Sequence, residues 1–200
     1  MIFISKTGAF MNLKYIILVL LVLSFTFGCA TPPTEEMNNA IEAVTRAENN
    51  ADAVLYGAGN LARARDALRR MQDEANSKRY SAAKVLAGEA IAAADKAIAD
   101  GQTGAARARE EASSLLASLR PMITETGKSI NSAQTRGLAL DYIGLNQEFD
   151  AAQLNTDQAE VALAGKQYQD ALEKGRNART GLNDINQKLA SAAVSVSRKK

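Results

Sequence analysis

The chain is expected to be all-α, an antiparallel bundle of long alanine-rich helices arranged as two similar three-helix units. Three observations predict this. Roughly one residue in five of the 200 is alanine, the best helix former. Apolar residues recur at three- and four-residue steps over most of the length. A short block beginning at Lys78 returns 88 residues later, at Lys166. With only 5% aromatic residues, the core has to be built from small side chains.

The start of the chain carries a different signal. Met11-Asn12-Leu13-Lys14 is a short cationic opening, residues 15–27 are uncharged and mostly apolar, and Gly28-Cys29 follows at once. That is the order of an export signal. An apolar run of about 13 residues is too short to span a bilayer, which takes ~20 helical residues. This opening resembles that of a bacterial lipoprotein precursor, in which a small residue precedes a cysteine that receives diacylglycerol before cleavage on its N-terminal side. The resemblance implies that residues 1–28 are a signal peptide, with Met11 as the true start, and that Cys29 is the lipid-attachment site and first mature residue. Ala30, rather than Asp, follows the cysteine. In lipoproteins of this kind that is compatible with transfer to the outer membrane, so the expected location is the envelope, on the outer membrane facing the periplasm. Residues 29–34 form a short leash stiffened by Pro32 and Pro33.

Helices are predicted in sequence from there. Thr34 is a candidate cap, and Glu35 and Glu36 favour the positive end of a helix dipole. The first helix is expected to run to about Tyr56, with Met37, Ala40, Ile41, Val44, Ala47, Ala51, Val54 and Leu55 on its inner face. Gly57-Ala58-Gly59-Asn60 is expected to end it, the glycines allowing positive φ and Asn60 capping the next helix. Leu61, Ala64, Leu68, Met71 and Ala75 mark a second helix, interrupted at Asn76 and Ser77. Tyr80, Ala83, Leu86, Ala87, Ala90, Ala94 and Ala97 open a third. Its period continues through Gly101 and Gly104 to Leu119, which favours one long helix up to Pro121, where it stops or kinks.

The 88-residue shift pairs Lys78-Arg79-Tyr80-Ser81-Ala82-Ala83 with Lys166-Gln167-Tyr168-Gln169-Asp170-Ala171. Expected organisation is therefore a first three-helix unit over 35–100, a connecting long helix over 101–145, a helical hairpin over 146–192 and a basic tail over 193–200. The run from Tyr80 to Ala90 is similar to the second helix of a tetratricopeptide repeat, but the 88-residue period is far from that family's 34-residue unit. A closer resemblance is to the bacterial envelope family called domain of unknown function 4398. It rests on Leu61-Ala62-Arg63-Ala64-Arg65-Asp66-Ala67-Leu68 and Lys78-Arg79-Tyr80-Ser81-Ala82-Ala83-Lys84, and covers roughly residues 37–99. That family carries no agreed activity to transfer.

Composition excludes much chemistry. No histidine means no imidazole base, no Ser-His triad and no mixed Cys/His metal site. The acids alternate with Arg and Lys along helix faces, and Glu110 and Glu111 point about 100° apart on a helix, so they do not converge. No enzyme activity, cofactor or metal is expected. Losing Lys6 and Lys14 with the leader leaves 22 basic and 22 acidic side chains, so nucleic acid is not an expected partner. The expected partners are the membrane, through the N-terminal lipid, and an envelope protein or cell-wall component. Tyr80 and Tyr168 are candidate contact residues on a rigid scaffold, although each ring can equally plug the core beside a helix end. The leading expectation is a lipid-anchored, non-enzymatic helical scaffold. A carrier holding a lipid or other small apolar ligand between helices is the alternative, and self-association through the alanine faces stays open.

Overall fold

The computed structural model describes residues 31–197, and within them six helices and no strand. They are α1 (Thr34–Glu48), α2 (Ala51–Tyr56), α3 (Ala58–Asn76), α4 (Tyr80–Thr135), α5 (Tyr142–Ala164) and α6 (Tyr168–Ser197). The leader, Cys29 and residues 198–200 lie outside the described residues. The all-α bundle read from the sequence is the observed fold class.

The 56-residue α4 is the axis of the molecule, about 84 Å long at 1.5 Å per residue. Its first half packs with α1, α2 and α3, its second half with α5 and α6. Cross-helix pairs give the directions. Glu36 and Arg46 of α1 meet Lys84 and Asp95 of α4, so these two run parallel, while Arg65 of α3 meets Glu48 on the way back. Further along, Arg120 meets Glu160 of α5, antiparallel, whereas Glu111 and Thr126 meet Arg176 and Asn186 of α6, parallel. Each unit is thus up-down-up, and α4 is the third helix of one and the first helix of the other. The segment 101–145, expected as one connecting helix, is the second half of α4, the turn at 136–141 and the first turn of α5.

Continuity through Gly101 and Gly104 is observed, and Pro121 does not end the helix. Proline removes the amide that would bond to the carbonyl of residue 117. Both Ala117 and Pro121 are exposed, so water reaches the carbonyl and the helix continues. The helix stops instead at Thr135, followed by Gly137 at φ 66.

Five readings near the N-terminus are corrected. The first helix breaks at Asn49 and Asn50, whose side chain accepts a hydrogen bond from the Ala53 amide at 2.9 Å and starts α2. The break tilts α2 across α4 at backbone contact: a Cβ on Gly101 would lie 2.6 Å from the Ala53 nitrogen, and one on Gly57 would lie 2.1 Å from the Ala97 carbonyl oxygen. Gly57 therefore serves close approach and not a positive φ, since its φ is −101. Residues 58–60 are the first turn of α3, and Asn60 donates across to Asp100 at 2.5 Å instead of capping. Thr34 is likewise inside α1, which has no side-chain cap. The inner face of α1 is Ala40, Ala43, Val44 and Ala47, which leaves the larger Ile41 40% exposed, and α2 turns Ala53 inward, which leaves Val54 and Leu55 47% and 58% exposed.

The 88-residue echo is written in the backbone. Lys78 and Lys166 both have positive φ, 58 and 61. The amides of Ser77, Lys78 and Arg79 bond to the carbonyls of Asp73, Ala75 and Glu74, and those of Gly165, Lys166 and Gln167 bond to Val161, Leu163 and Ala162, the same pattern displaced by 88. Buried positions follow the same register: 83, 87, 90, 94, 97 and 101 on α4, and 171, 175, 178, 182, 185 and 189 on α6. The Asn60–Asp100 hydrogen bond even has its counterpart in the ion pair of Glu148 with Lys188 at 2.5 Å.

Candidate functional site

Cys29 lies outside the described residues, so its surroundings are not part of the fold described above. Tyr80 and Tyr168 each open the helix that follows a Lys-bearing turn, and both are half-buried. Tyr168 packs against the second unit's core. The two rings are not brought together. Asn186 of α6 lies beside Thr126 of α4, which sets Tyr168 about 40 Å along the axis from Tyr80. A partner using both would have to be extended along the molecule.

The other tyrosines divide. Tyr142 donates its hydroxyl to the Leu138 carbonyl at 2.8 Å, as expected for a ring at a helix end. Tyr56, the last residue of α2, sits at the junction between the units. It packs against the second core cluster, its Cβ would lie 2.4 Å from a Cβ on Gly104, and its hydroxyl is buried without a partner. Gly104 is therefore small because Tyr56 occupies the space a side chain would need.

Charged groups are arranged as surface pairs. The Lys84 ammonium beside Glu36, and the Arg79 guanidinium beside Glu74, hold those carboxyls below their ordinary range. Lys96, and then Asn60, do the same for Asp100. These shifts come from solvent-exposed partners, the pattern of structural ion pairs rather than of a poised acid or base. Among the described residues no three of His, Cys, Asp and Glu converge as a metal site, and no helix is long and apolar enough to cross a membrane.

Two surface grooves occupy equivalent places in the two units. One runs between α5 and α6 and has a volume of about 860 Å³; the other, between α3 and α4, has about 510 Å³. Four lining positions correspond at the 88-residue shift: Arg63 with Ala151, Ala67 with Asn155, Glu89 with Asn177 and Ala93 with Gly181. The reading of the sequence passed over Asn155, Asn177 and Gln187. The signal that finds them is the repeat itself, because at its shift two long charged residues, Arg63 and Glu89, become a small one and a carboxamide.

Comparison with known proteins bears on the first unit and the start of α4's second half. Residues 35–113 match the family described as Domain of unknown function (DUF4398). The match takes in α1, α2, α3, both halves of the close crossing and the Lys78–Tyr80 turn. It stops before Pro121 and before the α5–α6 hairpin. No curated protein and no solved structure matches the chain.

Proposed function

We propose that this is a lipid-anchored protein of the bacterial cell envelope, held at the outer membrane and facing the periplasm, whose helical rod spaces or recruits an envelope partner without catalysing a reaction. The observation that carries the proposal is the cationic opening, short apolar run and Gly28-Cys29 of the leader, followed within five residues by the start of a helical body. A leash of 29–33 held by two prolines keeps α1 close to the bilayer, and the 84 Å span of α4 carries the α5–α6 hairpin away from it. The scaffold reading is favoured over a carrier of apolar ligands because the larger groove is open to solvent instead of enclosed, with Glu148, Asp184 and Lys188 in its lining.

Radioactive palmitate fed to expressing cells is expected to label the protein, and Cys29→Ala is expected to abolish the label and leave the chain at its precursor length. An unlabelled wild-type protein recovered from the cytosol at full precursor length would sink the proposal.

A further inference from the structure

The groove between α5 and α6 differs from its counterpart in one consistent direction. Where the smaller groove of the first unit is lined by the long side chains of Arg63 and Glu89, the larger one of the second is lined by Ala151 and Asn177. Ala93 becomes Gly181, and no neighbouring atom comes closer than 3.8 Å to a Cβ built there. The result is an apolar floor of Leu140, Ala151, Ala152, Ala192 and the bare backbone of Gly181, beside Asn155, Asn177, Gln187 and Ser191. Of the charges on its rim, Glu148 and Lys188 neutralise each other across the two helices, at 2.5 Å. Asp184 has no ion-pair partner among the described residues, so the groove offers an anion nothing.

From this chemistry we infer that the α5–α6 groove is a binding site for a neutral glycan chain. A pyranose ring presents a flat C–H face and a rim of hydroxyls. The face suits the Ala151, Ala152 and Gly181 floor, and the rim meets carboxamides and a hydroxyl that can each donate and accept. A partner helix fits less well. Its apolar stripe would cover Asn155, Asn177 and Gln187 without giving them hydrogen-bond partners, and a buried unpaired polar group is costly. An extended peptide would need pockets for alternate side chains, which a bed of alanine and glycine does not supply. The groove spans residues 177–192 of α6, about 22 Å, the length of several sugar rings. It is open on its outer side, so a ligand can enter along the chain and need not present an end. This reading stands on the groove alone and does not depend on whether Cys29 carries lipid.

Isothermal titration of the full-length chain in detergent with the N-acetylglucosamine tetramer tests it. Saturable heat is expected. Asn177→Ala and Gln187→Ala should each weaken binding about three- to tenfold, the worth of a neutral hydrogen bond. The double variant Ala151→Arg, Asn177→Glu, which restores the first unit's side chains at exposed helix positions, should abolish binding while leaving the circular dichroism melt unchanged. The pair Arg63→Ala, Glu89→Asn in the first groove should leave affinity where it was. No heat with the sugar, equal heat from an acetylated tetra-alanine amide, or undiminished binding by the double variant would each overturn the assignment. Palmitate labelling is untouched by any of these results, so failure here and failure of the anchoring proposal are told apart.

Discussion

The two units share a path and differ in what fills it. In the first, eleven of the fifteen residues of the core cluster are alanine, and the helices meet at backbone distance around Gly57, Ala97 and Gly101. In the second, the two clusters hold eight alanines among eighteen residues, with Leu116, Leu119, Leu182, Ile185 and Leu189 supplying bulk. At the 88-residue shift Ala94, Ala97 and Gly101 correspond to Leu182, Ile185 and Leu189, all buried. One helix geometry is therefore held by close approach at one end of the molecule and by apolar volume at the other. An alanine seam gains little transfer energy per residue, because each methyl removes little area from water, but it tolerates no added atom. A leucine core has the opposite sensitivity.

That contrast is broken most sharply by exchanging the equivalent residues. Leu182→Ala is expected to lower stability by about 2–5 kcal/mol through lost burial and the cavity left behind, and Ala94→Leu by about 1–3 kcal/mol through overpacking. Denaturant melts give the totals, and amide hydrogen exchange should place the Leu182→Ala loss in α5 and α6 and the Ala94→Leu loss in α1 to α3. If Ala94→Leu were neutral or stabilising, the first unit would not be a closed seam.

The junction comes next in size. Tyr56→Phe removes a buried hydroxyl that has no partner and keeps the ring against the second core, so a gain of about 1 kcal/mol is expected. Tyr56→Ala, by contrast, should destabilise. A thermal melt in which the phenylalanine variant falls below wild type would show that the hydroxyl is satisfied in solution.

The smallest effect is electrostatic. The carboxyls held below their ordinary range, Glu36, Glu74 and Asp100, all belong to the first unit. A carboxyl whose folded value is depressed adds stability above the unfolded carboxylate range and loses it as pH falls through the folded value. Acidification below about pH 4 should therefore weaken the first unit before the second, modestly, since these pairs are exposed and screened. Hydrogen exchange at pH 3 and pH 6 measures the order, and earlier loss of protection in α5 and α6 would reverse the comparison.

Much of the fold was legible because it is local. Alanine content and three-four periodicity mark helices at any single stretch, and the Lys-x-Tyr-x-x-Ala block marked both turns, which carry the same hydrogen bonds and the same left-handed lysine. The inner face of α3 was read nearly residue for residue, with Leu61, Ala64 and Met71 buried. The α1 and α2 faces were misread in part, since Ile41 of α1 and Leu55 of α2 are apolar but outward, and in an alanine seam the smallest residue wins the contact position over the most hydrophobic. The half-buried Tyr80 and Tyr168, each opening the helix after a left-handed lysine, were visible as an equivalent pair. The wider groove was not, because Asn155, Asn177 and Gln187 are ordinary surface residues until two helices bring them to facing walls.

The amino-acid order on its own determined that the chain is helical, that it turns before Tyr80 and before Tyr168 and that it repeats, since backbone propensity and residue spacing act within a few neighbours. Only the tertiary structure decided that α4 runs unbroken past Pro121 as a shared axis, that Gly57, Gly101 and Gly104 are glycines for want of space, and that one of two equivalent grooves is wide. The glycine contacts depend on what another helix places opposite, 40 to 50 residues away along the chain, and steric fit at that range has no local signature.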